Sequence, residues 1–88
     1  MNAAAFAFDH FNDKPALYAH KGRARLPGNG DVYVCVDAHV PVDRVSLVMS
    51  GPVQFNSMAF TIEQARAVAA ELLAAVREAV ARREGGAA

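Results

Sequence analysis

Apolar and polar residues alternate most regularly between Asp31 and Val40. Val32, Val34, Val36, Ala38 and Val40 fall on one side of an extended chain, and Tyr33, Cys35, Asp37 and His39 on the other. Period-two alternation rich in β-branched residues predicts a strand with one buried face. Pro27-Gly28-Asn29-Gly30 before it is a turn sequence, and Ala16 to Leu26 is long enough to pair back along the whole strand. Pro41-Val42-Asp43 turns the chain into Val45–Ser50, and Gly51-Pro52 turns it again into Val53–Asn56. Residues 16–56 therefore read as an antiparallel meander whose long hairpin spans 16–40.

After Phe60 the period changes. Thr61-Ile62-Glu63-Gln64 fits a capping box, in which the Thr hydroxyl and Gln side chain satisfy backbone N–H groups that a first helical turn leaves free. At about 100° per residue, Ile62, Ala65, Val68, Ala69, Leu72, Leu73, Val76, Ala79 and Val80 share an arc of about 140°. Glu63, Arg66, Glu71, Arg77, Glu78 and Arg82 lie opposite. Arg82 and Arg83 suit the negative end of a helix dipole, and Gly85-Gly86 ends the helix. The expected helix covers residues 62–83 and is about 33 Å long at about 1.5 Å per residue. Two paired strands of about 11 residues each reach about 36 Å, a matching length.

These elements predict a single α+β domain over residues 1–88, with an antiparallel meander of three to five strands packed against one long C-terminal helix lying across it. Residues 3–11 leave two alternatives, an edge strand or a helical turn, with the strand preferred; residues 85–88 read as a disordered tail. Leu72 belongs to the inward helix face, so Leu72→Ala is expected to destabilise the fold by roughly 2–4 kcal/mol, as large-to-small core changes do.

Composition changes the picture of the core. Hydrophobic residues make up 53% of the chain, but 19 of them are Ala and 11 Val, against 14 Leu, Ile, Met and Phe together. A chain of this length buries only roughly 60–65% of its unfolded surface. The core is therefore a Val-rich sheet face with few large side chains. High apolar content and zero net charge exclude disorder along most of the length.

Nine Lys/Arg balance nine Asp/Glu, which lacks the basic excess of a dedicated DNA-coating protein and does little to keep copies apart. The single Cys35 excludes an intramolecular disulfide and a cysteine-rich zinc site. No Lys or Arg precedes the short apolar stretch near Met1, and no run is long enough to span a membrane, so a soluble, reduced, cytoplasmic protein is expected. The helix has as many Glu as Arg in the central turns of its polar side, which suits core packing better than a membrane surface.

Two hairpin registers are open. With Leu26 facing Asp31, His20 faces Asp37 and Tyr18 faces His39, gathering His20, His39, Asp37 and Cys35 for a metal or acid–base site. That register also puts Lys21, Arg23 and Arg25 among the valines, which is costly. With Leu26 facing Gly30, Arg25 faces Asp31, Arg23 faces Tyr33 and Lys21 faces Cys35, and polar separates from apolar. The second register is preferred. It offers Lys21, Arg23, Arg25 and Tyr33 as a candidate anion- or partner-binding surface, where cations beside an aromatic suit a phosphate backbone.

The remaining chemistry is sparse. Cys35 and His39 are about 13 Å apart along one strand, too far for a nucleophile–base pair. Gly28-Asn29-Gly30 lacks the following helix of a phosphate cradle. No catalytic residue, metal ligand or cofactor is assigned. The expected function is a non-enzymatic module that binds itself, as a homodimer, or another protein. The alternative is weak nucleic-acid or anion binding through the basic face, and a third reading is an enzyme or metal site near Cys35 and His39.

Phe60-Thr-Ile-Glu-Gln-Ala-Arg-Ala-Val-Ala-Ala-Glu-Leu-Leu73 resembles the terminal helix of many small hypothetical bacterial proteins. The Ala-, Arg- and Val-rich usage is similar to that of proteins from GC-rich, Burkholderia-like genomes. The resemblance implies no activity and carries over no functional residue.

Overall fold

The computed structural model describes residues 6–28 and 30–86. Strands β1 (Asp9–His10), β2 (Tyr18–Arg25), β3 (Tyr33–His39), β4 (Arg44–Ser50) and β5 (Phe55–Phe60) precede helix α1 (Ile62–Gly86). The strands form one open antiparallel sheet in chain order, β1-β2-β3-β4-β5, so the fold is α+β with a meander. The edge strand expected within residues 3–11 forms at Asp9–His10, where Asp9 pairs with Arg23 and His10 with Gly22; the part of that segment before Phe6 lies outside the described residues.

The hairpin obeys the expected segregation but not the expected register. Arg25 lies opposite Tyr33, Arg23 opposite Cys35 and Lys21 opposite Asp37, two residues from the anticipated pairing. The cause is a longer loop. Leu26 N–H donates to the Val32 carbonyl at 2.9 Å, and Gly28 and Gly30 take φ values of 81° and 65°. That left-handed region suits glycine, so the chain reverses over a wider turn than a tight hairpin needs. A slip of two leaves every side chain on its original face, whereas a slip of one would invert them all.

A bulge between Tyr18 and His20 then changes the facing of the strand's first residue. His20 pairs with Ala38, but Tyr18 pairs with His39 and so joins the polar side. Rows Gly22–Val36–Leu47–Met58 and His20–Ala38–Val45–Phe60 define the apolar face. The rows through Lys21–Asp37–Ser46 and Arg25–Tyr33–Ser50 define the polar one.

The capping box forms as anticipated. Thr61 N–H donates to Gln64 Oε1 at 2.9 Å, and Gln64 N–H donates to Thr61 Oγ1 at 3.0 Å. α1 runs through Gly86 rather than stopping at 83, so residues 85 and 86 of the expected tail are helical, and 87–88 lie outside the described residues.

The helix does not lie across the sheet. Among the described residues it touches only β4 and β5. Leu72, Leu73 and Val76, expected to face inward, are 61%, 60% and 56% exposed. Truncating Leu72 within one chain therefore removes far less buried surface than the sequence implied. Only Ala24 and Val32 count as buried apolar residues among those described, and no large side chain there is fully enclosed. The molecule is extended, 52 × 31 × 22 Å, with a radius of gyration of 15.6 Å. A compact chain of this length has a radius of about 12 Å. Among the described residues no helix is long and apolar enough to cross a membrane.

Thr61→Ala is expected to cost about 1 kcal/mol, read as a lower urea midpoint at unchanged slope. An unchanged midpoint would show that the cap does not hold the start of α1.

Candidate functional site

Alternation along β2 and β3 places Lys21, Arg23, Arg25 and Tyr33 on one face, together with Cys35, Asp37 and His39. The bulge adds Tyr18 to this set. Lys21 Nζ lies 4.3 Å from the centre of the Tyr18 ring, and Arg23 Cζ lies 4.6 Å from that of Tyr33. Both cations thus rest on tyrosines, a contact worth about 0.5–1 kcal/mol at exposed positions. Arg25 is turned towards the hairpin loop instead. Its Nε donates to the Gly30 carbonyl at 3.2 Å, and its guanidinium stands 3.7 Å from Asp31 in an exposed ion pair of little energetic consequence.

The four candidate residues are thus on one face, but they do not form a cationic patch. A concavity of about 410 Å³ is lined by Asp9, Phe11, Asp13, Lys21, Gly22, Arg23, Cys35 and Asp37. Its three carboxylates outnumber its two cations. Asp37 sits directly opposite Lys21, and Asp9 opposite Arg23. A phosphate entering this space meets negative as well as positive charge. The sequence reading missed Asp9 and Asp13 because they come from the edge strand and the segment after it. The available signal was the pairing of β1 with β2, whose register no local pattern sets.

Cys35 forms part of the floor. Burial pushes its thiol above the ordinary range and the Asp37 carboxylate adds to this, while Arg23 and Lys21 pull the other way without cancelling it. The thiol is therefore protonated at neutral pH, the form that does not attack. His39 is separated from it along β3 and turned elsewhere. Its Nε2 is 3.1 Å from Ser46 Oγ, and its ring packs 5.2 Å from that of Tyr18.

Ser46 is a polar residue the sequence reading passed over, and it is buried. A Ser–His contact resembles half of a nucleophilic dyad. Among the described residues, however, His39 makes no other side-chain hydrogen bond that would orient it. A serine this enclosed has no room for substrate, so the bond serves to satisfy a buried hydroxyl.

The metal arrangement does not assemble. It required His20 opposite Asp37, but His20 lies opposite Ala38 on the apolar face, where its ring meets that of His10 at 5.2 Å. Among the described residues no group of three or more His, Cys, Asp or Glu is placed to hold a metal ion.

Alkylation of Cys35 followed across pH should show a midpoint above that of an unstructured peptide thiol. Asp37→Asn should lower the midpoint and Arg23→Ala should raise it. A midpoint at or below the peptide value would contradict the buried, carboxylate-facing environment.

No protein-family model, curated protein or solved structure matches the chain.

Proposed function

We propose that the chain is a non-enzymatic interaction module that works as a homodimer. The observation that carries this reading is unburied surface. One chain exposes 6719 Å². A compact monomer of 9.4 kDa exposes about 5,000 Å². The excess of about 1,700 Å² per chain falls within what subunits bury in obligate homodimers, about 1,000–2,500 Å² each. Met58, Ile62, Leu72, Leu73 and Val76 are large apolar residues that stand in solvent. Exposed apolar side chains in this number favour an interaction surface. Zero net charge raises no barrier to self-association.

A second reading is binding of nucleic acid or another anion through Lys21, Arg23, Arg25 and Tyr33. Support for it comes from the two cations poised on tyrosines. Against it stand Asp9, Asp13 and Asp37 in the same concavity. Non-specific binding of nucleic acid depends on phosphate neutralisation, and carboxylates beside the cations reduce it.

Sedimentation velocity over a wide concentration range is expected to give twice the chain mass, falling towards the chain mass on dilution. A strict monomer throughout contradicts the dimer. NMR titration with a short oligonucleotide at low salt is expected to leave Lys21, Arg23, Arg25 and Tyr33 unshifted. Saturating shifts confined to these residues would favour the second reading.

A further inference from the structure

We propose that in this dimer α1 of each copy lies across the apolar sheet face of the other, with Leu72, Leu73 and Val76 as the anchoring side chains. The inference rests on the homodimer reading above and names the surfaces that form it.

The first surface is the sheet face bearing Val34, Val36, Ala38, Val45, Leu47 and Met58, which share one side by register. Met58 is exposed and the other five are half-buried within the chain. The second is the helix stripe. α1 follows β5 with only Thr61 between them, and Met58 and Phe60 form a groove with Gln64, Ala67 and Val68 of its first turns. Beyond that groove the helix leaves its own sheet. Its 25 residues extend about 37 Å. Five strands at about 4.8 Å spacing span about 19 Å. The helix is thus long enough to cover a sheet of this width, but among the described residues it touches only β4 and β5.

One chain therefore displays an apolar sheet face that is only partly covered and an apolar helix stripe that stands exposed. A two-fold arrangement covers both at once and closes, because each copy gives the helix and receives one. The surface excess per chain fits this exchange, in which each copy contributes both elements to the interface. The polar face, with Lys21, Arg23 and Asp37, stays outward on both copies.

Three other occupants are conceivable: the chain's own helix folded back, the partner's helix alone, or a different protein. The full chain carrying Cys35→Ser separates them. Two single-cysteine variants, Val36→Cys and Leu73→Cys, are mixed, exchanged and oxidised. The expected product is the mixed disulfide between position 36 of one copy and position 73 of the other. Dominance of the Leu73→Cys self-disulfide, or no cross-link in a protein that sediments as a dimer, overturns the helix-on-sheet arrangement. The double variant Leu72→Asp, Leu73→Asp is expected to sediment at the chain mass and to lose the dispersed strand signals by NMR, because the fold depends on the pair. A folded double variant that stays dimeric also overturns it. An unmodified chain that is monomeric at every concentration overturns the homodimer reading itself, and with it this inference.

Discussion

An 88-residue chain whose apolar content is mostly alanine and valine must cover a sheet face with side chains that reach only a short way from the backbone. Valine fills a pleated surface well but encloses little volume, and alanine encloses less. The outcome is a meander with good backbone pairing and a thin interior. Among the described residues, only Ala24 and Val32 are buried apolar residues. Each strand is hydrogen-bonded to its neighbour, so local geometry is satisfied while the apolar face is not. This imbalance governs the other features: the extended shape, the helix that leaves its own sheet, and the surface available to a second copy.

The polar face follows from a different constraint, the parity of the β2–β3 hairpin. Sliding the strands by two residues preserves sidedness, so Lys21, Arg23 and Arg25 avoid the valines whichever even register the loop selects. The wider loop with Gly28 and Gly30 chooses the pairing, and that choice sets Lys21 against Asp37. A bulge near Ala19 then brings Tyr18 round to receive the Lys21 ammonium. The result is a face whose cations are matched by carboxylates and whose cysteine is held as a thiol. It is better suited to remaining solvated at the outside of an assembly than to gripping a polyanion.

Features written in contiguous residues were legible in the sequence. The alternation of Val32 to Val40 located β3, and Thr61 with Gln64 located the start of α1 through a cap that needs only four residues. Segregation of charge chose the correct hairpin parity. Three things escaped. The register depended on glycine dihedrals in a loop whose length no periodicity reports. The concavity's Asp9 and Asp13 arrive through an edge strand of two residues, too short to leave a pattern. The expected inward facing of Leu72, Leu73 and Val76 was wrong: they stand exposed, because an apolar stripe shows only that surface seeks cover, not whether the same chain supplies it.

If a second copy supplies that cover, folding and association are one equilibrium, and stability belongs to the pair. The most direct measurement is the urea unfolding midpoint as a function of protein concentration. For a coupled dimer the midpoint rises steadily, with about 1.4 kcal/mol of added stability for each tenfold increase in chain concentration. A cooperative transition whose midpoint stays fixed over a thousandfold range would show that one chain buries enough surface to fold alone, and would contradict the coupled dimer.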